Sequence, residues 1–289
     1  MPHGDDPGEL SQKRERLLSL LASMEKVAVA FSGGVDSAVV AQAAHHALGS
    51  HAVAVTGTSY SLAEGELDAA RQLAAQIGIR HEVIETGEFV NESYTRNAPD
   101  RCYHCKTELY RRMEELTDRL DHGTLVNGAN VDDLGDYRPG MRAAGEHQVR
   151  SPLAECGIDK AGVRRLAADW NLPVWDKPAM PCLASRVAYG EQVTPDRLAM
   201  IDRAERFLRG HGLPTVRVRY HRGDLARLEV PLTAFPQLLQ VDFQQQLTRE
   251  LKQLGFKFVT LDLEGFRSGS LNALVPVELL LDSSGGLAD

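Results

Sequence analysis

Twelve residues near the front of the chain, Lys26 to Ser37 (KVAVAFSGGVDS), constrain the fold more than any other stretch. Lys26 to Phe31 is a short apolar run of alanine and valine, the pattern of a strand buried on both faces. Ser32-Gly33-Gly34-Val35-Asp36-Ser37 follows at once, and Ala38 to Leu48 then reads as a helix with no breaker. Strand, glycine loop and helix, in that order, build a phosphate cradle. Two adjacent glycines let main-chain N–H groups crowd an anion without Cβ clashes. The helix N-terminus adds its partial positive charge. Ser32 and Ser37 supply hydroxyl donors. Asp36 is an anion set beside anions, so it is expected to hold a metal ion or to orient the loop through hydrogen bonds. The loop has neither the GxxxxGKS of a Walker motif nor the GxGxxG of a dinucleotide fingerprint. An ordinary strand–turn–helix corner is the bland reading of the same residues, and the density of glycine and hydroxyl positions counts against it.

The surrounding pattern tells what carries this loop. A helix is expected from a cap at Ser11 to about Ser23, then strands at His51 to Gly57, Arg80 to Thr86 and Thr124 to Gly128. Helical stretches at Leu62 to Gly78, His104 to Leu120 and Asp159 to Asn171 separate and follow them. Such alternation predicts an α/β fold, a parallel sheet covered on both faces. The pattern changes between about 180 and 195. Thr194 caps a helix with Pro195 at its first position, running to about Gly210. Strands at Thr215 to Tyr220 and Leu225 to Val230 flank Arg222-Gly223-Asp224, and a helix at Ala234 to Leu254 leads to a strand at Lys257 to Leu263. Residues 1–185 are therefore expected to form the parallel-sheet domain and 186–289 a smaller α+β domain.

Ligands of such sheets sit outside the carboxyl ends of the strands. After the second strand come Thr56 and Ser59, candidate nucleotide contacts or plain turn residues. After the fourth come Gly128-Ala129-Asn130-Val131-Asp132-Asp133. Gly128 would admit a ligand, and Asp132 with Asp133 would bind Mg²⁺ directly or through water; a solvated turn is the alternative. Val131 to His147 reads as a mobile loop, a lid over the site. The formal charge of −8 argues against a broad nucleic-acid surface, which would need a basic face. No apolar run approaches a membrane span and no secretory leader opens the sequence, so a reduced, cytoplasmic setting is expected.

In that setting the four cysteines point to metal or redox chemistry more than to disulfides. Cys102 and Cys105 lie in RCYHCK, at a spacing that lets two thiolates reach one metal or cluster. Cys182, in PCLASR, is the natural third ligand. Three thiolates on a [4Fe–4S] cluster would leave one iron open. Zinc, completed by His104 or Cys156, and a redox thiol pair stand level with the cluster on the residues alone. Cys156 reads as a small half-buried residue and His104 as a spacer. Cys182 has a second possible role, as a thiolate activated by nearby Arg186 and Lys177.

The SGGVDS loop and the GANVDD stretch resemble those of the ATP pyrophosphatases, or PP-loop enzymes. RCYHCK, DKPAMPCLASRVAYG and LDLEGFRSGSLN resemble the LarE family of ATP-dependent sulfur transferases, and the likeness runs from Ser32 to Asn272. The resemblance implies that Ser32 to Ser37 grip the β,γ-pyrophosphate of ATP, with Asp36 on Mg²⁺. It implies a substrate, pyridinium-3,5-biscarboxylic acid mononucleotide, whose carboxylate is adenylated and then converted to a thiocarboxylate, a step toward the nickel-pincer nucleotide of lactate racemase. The family takes its sulfur in two ways, from a sacrificial cysteine at the PCLASR position or from a [4Fe–4S] cluster on three cysteines. Cys102, Cys105 and Cys182 are all present, which favours the cluster; a sacrificial Cys182 leaves Cys102 and Cys105 unexplained. Cys182, Asp36 and Arg186 are then the expected catalytic residues. Arg217 and Arg219 alternate onto one strand face and would bind the substrate phosphate or ring carboxylates, with Glu229 a weaker candidate. Arg267 and Ser268 would bind phosphate or fix a subunit contact, and the resemblance also implies a homo-oligomer. The immediate sulfur donor stays open. Two rivals stand beside this reading. One is a PP-loop tRNA thiolase with a three-cysteine cluster; the other is a nucleotide-binding protein without catalysis.

Overall fold

The computed structural model describes residues 7–120, 123–134, 139–178, 180–267 and 270–271. The first half runs α1 (Pro7–Ala22), β1 (Val27–Ala30), α2 (Val35–Leu48), β2 (Ala52–Thr58), α3 (Glu66–Ile77) and β3 (Arg80–Glu85). It continues with α4 (Glu92–Thr95), α5 (Arg101–Leu120), β4 (Thr124–Val126), α6 (Pro139–Glu146), α7 (Pro152–Glu155) and α8 (Lys160–Asp169). The four strands form one parallel sheet in the order β3-β2-β1-β4. Its inner strands bury alternate residues on opposite faces, as the period of two requires. Val27, Val29, Ala52 and Ala54 pack with α1, α2 and α8. Ala28, Val53 and Val55 pack with Tyr110, Met113 and Leu116 of α5 and with Ala143 and Ala144 of α6. Both faces are covered, which is why these strands read as unbroken apolar runs.

The second half holds α9 (Pro195–Gly210), β5 (Arg217–His221), β6 (Leu225–Glu229), α10 (Phe235–Leu238), α11 (Val241–Gln253) and β7 (Phe258–Leu261). β5 and β6 make an antiparallel hairpin, and β7 returns parallel to β6 after α11. Gly223 and Asp224 both take positive φ at the hairpin turn, the backbone that matches strand twist. This sheet has its own core, from Leu198, Ile201 and Leu208 of α9 to Val218, Leu228 and Leu251. Tyr94 from the first half and Leu183 and Ala184 from the Cys182 segment are buried in it.

Several boundaries differ from expectation for local reasons. α1 begins at Pro7, so Ser11 lies inside the helix instead of capping it. α3 begins at Glu66, because Gly65 takes a left-handed conformation (φ 85°) and Leu62 belongs to the preceding turn. Ala234 to Leu254 is two helices, since Gln240 is extended (φ −63°, ψ 128°). The expected lid at Val131 to His147 contains α6, whose Ala143 and Ala144 are buried against α5; the lid reading does not hold for that part. Ser268 lies outside the described residues.

The end of β4 approaches α2 closely. A Cβ on Gly128 would lie 2.8 Å from the Ser37 main-chain nitrogen and 2.9 Å from the Asp36 carbonyl carbon. Both are backbone atoms at a helix start and cannot swing aside. Gly128→Ala is therefore expected to lower the unfolding free energy by about 1–3 kcal/mol, the usual cost of overpacking. An unchanged denaturant midpoint would contradict the close approach.

Candidate active site

β1 delivers Phe31 and Ser32 to the carboxyl edge of the sheet, where the chain turns into α2. The turn is fixed from within. The Ser32 N–H donates to Ser37 Oγ at 3.2 Å, the two hydroxyls lie 3.2 Å apart, and Ser37 Oγ donates to the Gly34 carbonyl at 3.0 Å. Gly33 takes φ 70°, a conformation that suits glycine, and packs on Ala70 of α3. Gly34 is the N-cap of α2 and brings no side chain to the helix N-terminus. Val35 is buried in the core, so only its main chain can meet a ligand. The result is a helix N-terminus with two hydroxyls beside it, suited to an anion.

Asp36 is held from two sides. Lys160 Nζ lies 2.5 Å from Asp36 Oδ2, and Asn130 Nδ2 donates to Asp36 Oδ1 at 3.0 Å. Asn130 also caps the turn after β4, accepting from the Asp132 N–H, while its own N–H donates to Asp133 Oδ2. Asp132 accepts from the main-chain N–H of Lys160. Of the two aspartates, Asp133 lines the cavity at this edge; Asp132 instead ties the β4 turn to the start of α8. Sequence reasoning missed Lys160 and Asn130 as site residues. Lys160 follows Asp159, which caps α8, and only the fold brings it back to α2.

A cavity of about 750 Å³ opens over these strand ends. Ser32, Asp36, Ser37 and Gly128 form one part of its wall, and Cys102, Cys105 and Cys182 another. Thr56 and Ser59 also line it, but each hydroxyl is committed. Thr56 Oγ1 donates to the Phe31 carbonyl at 2.8 Å and lies 2.8 Å from His81 Nε2. Ser59 Oγ donates to Glu88 at 2.5 Å. Cys102 and Cys182 are exposed and Cys105 is half-buried; all three thiols are free. Burial first, then the neighbouring Cys182 and Glu88, pushes the Cys105 thiol up to about 12. Cys156 is buried in the first core, away from the cavity wall. His104 leans on Asp100 at 3.3 Å, in keeping with a spacer.

The Cys182 turn is gripped through its carbonyls. Arg186, 1% exposed, pairs with Glu205 of α9 at 3.0 Å and donates to the carbonyls of Pro181 and Cys182. It is therefore a positioning residue for this turn and not a group that reaches the cavity. Lys177 bonds Glu66 at 3.1 Å. The two cations expected to activate Cys182 thus have other partners. Arg219 donates to the Ser185 carbonyl at 3.0 Å and pairs with Glu229 at 2.9 Å. Arg217 is buried beside it, 5.3 Å from the Phe266 ring, and burial together with Arg186 and Arg219 brings its pKa down to about 10. Arg267 pairs with Glu264 at the surface. Among the described residues, Arg217, Arg219, Glu229 and Arg267 lie outside the cavity wall. Also among them, no three His, Cys, Asp or Glu side chains converge closely enough to hold a metal ion, and no helix is long and apolar enough to cross a membrane.

A parallel sheet with a glycine cradle at the β1 edge and an Asn-Val-Asp-Asp turn at the β4 edge is the α/β fold of the PP-loop enzymes. The NAD synthase family matches residues 17–113. An uncharacterized protein of Synechocystis sp. is 44% identical over 92% of this chain and 99% of its own. The pyridinium-3,5-bisthiocarboxylic acid mononucleotide synthase of Lactiplantibacillus plantarum is 37% identical over 91% of this chain and 95% of its own. A tRNA-specific 2-thiouridylase of Rickettsia rickettsii is 27% identical over 56% of this chain and 54% of its own. The chain belongs to the LarE family of ATP-dependent sulfur transferases within the PP-loop superfamily, and it is an enzyme of that class.

The raised Cys105 pKa has a readable consequence. Only the thiolate is alkylated, and a thiol titrating near 12 is almost wholly protonated at neutral pH. In metal-free protein, the labelling rate of Cys105 by iodoacetamide should climb with each pH step through 10 without levelling. Peptide mass spectrometry reads this site by site; a plateau near pH 8 to 9 would contradict the half-buried, charge-crowded thiol.

Proposed function

We propose that this enzyme inserts sulfur into pyridinium-3,5-biscarboxylic acid mononucleotide, in the biosynthesis of the nickel-pincer nucleotide. The observation that carries the reading is that the phosphate cradle and three cysteines line one cavity. A carboxylate is a poor electrophile. Its oxygen attacks the α-phosphorus of ATP, pyrophosphate leaves into the Ser32–Ser37 loop, and an acyl-adenylate remains. The helix N-terminus and the two hydroxyls stabilise the charge that gathers on the departing pyrophosphate. Mg²⁺ would be held by Asp36 and by Asp133, the aspartates that line the cavity, and would offset phosphate charge. Lys160 and Asn130 fix Asp36 for that task. Sulfur then attacks the acyl carbon, AMP leaves, and a thiocarboxylate forms.

Three free thiols on one cavity wall are the donor set that a [4Fe–4S] cluster takes. Cys102, Cys105 and Cys182 would hold it, and when bound it supplies an open iron able to carry sulfide. The Cys105 proton must leave on binding, so assembly should release protons. A second reading keeps the same adenylation and uses Cys182 itself as donor: its thiolate displaces AMP to form a thioester, and loss of the Cα proton then breaks the Cβ–S bond, releasing the thiocarboxylate and leaving dehydroalanine. The exposure of Cys182 at the cavity, on a turn of its own, supports that reading. Residues 1–185 would activate the acid. Residues 186–289 would hold the mononucleotide, with the buried Arg217 and Arg219 released to its phosphate, and would make the contacts of a homo-oligomer.

Anaerobic incubation with the mononucleotide, ATP and Mg²⁺ should give AMP and pyrophosphate in equal amounts and a product in which sulfur replaces oxygen; ATP binding without AMP would refute the assignment. Asp36→Ala should lower AMP formation by about 100-fold or more, the scale of losing a preorganised electrostatic group, with the fold intact by circular dichroism. Cys182→Ala should abolish the thiocarboxylate yet still release pyrophosphate in a single turnover. Repeated turnover by Cys102→Ala would argue against the cluster; one thiocarboxylate per chain, with Cys182 left as dehydroalanine, would decide for the sacrificial cysteine.

A further inference from the structure

Two segments far apart in sequence supply the three cysteines, and something must set their spacing. Arg101 precedes Cys102 at the start of α5 and is 4% exposed. Its Nη1 donates to the Ala184 carbonyl at 2.8 Å, 83 positions along the chain and two beyond Cys182. The same nitrogen donates to Asn97 Oδ1 at 2.5 Å. Asn97 is fully buried, and its amide is shared among the carbonyls of Val187, Ala188 and Glu191 at 2.9 to 3.2 Å. Two main-chain bonds run alongside, Gly190 N–H to the Asn97 carbonyl at 3.1 Å and Val193 N–H to the Thr95 carbonyl at 2.8 Å.

Local preferences do not account for these two residues. A cation in the first turn of a helix opposes the helix dipole. A buried guanidinium gives up its hydration. Asn97 takes φ 59°, an uncommon backbone state that asparagine tolerates better than most. All three costs are offset by bonds that cross from the Cys102/Cys105 helix to the segment carrying Cys182. We propose that Arg101 and Asn97 form a latch that sets the separation of Cys102 and Cys105 from Cys182, and so determines whether sulfur transfer follows adenylation. Arg101 is in this account a positioning residue; the proposal rests on the sulfur-transferase reading above and refines it.

The test uses the full chain with Arg101→Met, Arg101→Lys and Asn97→Asp. Thiol spacing is read on metal-free protein with dibromobimane, which fluoresces once both of its arms have reacted with thiols; peptide mapping identifies the joined cysteines. Pyrophosphate release, which reports adenylation, and thiocarboxylate formation are measured in parallel. Wild type should join Cys182 to Cys102 or Cys105. Arg101→Met should lose that crosslink and lower the thiocarboxylate rate by about 100-fold, the scale of an ångström misplacement, while single-turnover pyrophosphate release persists. Arg101→Lys, which keeps the charge, should recover part of the crosslink. Asn97→Asp keeps the acceptor for Arg101 but loses the amide donors, and should give an intermediate crosslink; it decides the matter if Arg101→Met does not fold. Wild-type crosslinking and thiocarboxylate formation in Arg101→Met, or in Asn97→Asp in its place, would overturn the latch. So would a parallel fall in pyrophosphate release, thiocarboxylate and crosslink together. Failure of the underlying reading looks different: wild type itself would form no AMP from the acid, and the crosslink would still decide the latch.

Discussion

The sulfur side of this site depends on one buried ion pair. Arg186 and Glu205 are 1% and fully buried, and they meet at 3.0 Å between the Cys182 turn and α9. Burying two charges costs several kcal/mol each, and the cost is recovered only if the remaining hydrogen-bond groups are also satisfied. Here they are. Glu205 also receives Arg209 and the Val218 N–H, and Arg186 also serves the Pro181 and Cys182 carbonyls. The pair thus joins the second core to the backbone of a cysteine that faces the nucleotide cavity. Breaking such a pair leaves a lone buried charge, worth about 3–5 kcal/mol, and would free the turn that presents Cys182.

The nucleotide side obeys a different constraint. Asp36 sits in the first turn of α2, where an anion is favoured by the helix but would repel a bound phosphate. Lys160 and Asn130 resolve the conflict by neutralising and aiming the carboxylate. The β4 turn and α8 are drawn to α2 by the same bonds, and Gly128 lets the backbones touch. The phosphate-loop residues and the three cysteines thereby line one cavity while coming from separate parts of the chain.

The sequence made the first of these parts legible and the second only partly. An unbroken Val-Ala run, a double glycine and a breaker-free helix admit few arrangements, so β1, the loop and α2 stand where expected. Thr194 and Pro195 likewise mark the start of α9, because a capping hydroxyl and a fixed φ act locally. Cys102, Cys105 and Cys182 stand out by residue type, but only the fold sets all three on one cavity. Lys160 was not legible, since its partner lies 124 positions away and nothing local distinguishes it from a surface lysine. The surroundings of Arg186 were hidden for a related reason. An arginine four residues from a reactive cysteine reads as an activator, and only burial against Glu205 shows that it holds carbonyls instead. Arg217 and Arg219 share a face as alternation requires, but that face is covered rather than solvated. Burial is a property of the assembled fold, and alternation says nothing about what will lie on top.

The account stands or falls on the attack of a carboxylate on the α-phosphorus of ATP, within the cavity that also holds the thiols. A single anaerobic turnover with substrate labelled with ¹⁸O in its carboxylates tests this most directly, by the mass of the nucleotide and pyrophosphate released. One labelled oxygen should appear in AMP and none in pyrophosphate, with sulfur in its place on the product. Label in pyrophosphate or inorganic phosphate, or thiocarboxylate formed alongside unlabelled AMP, would contradict it.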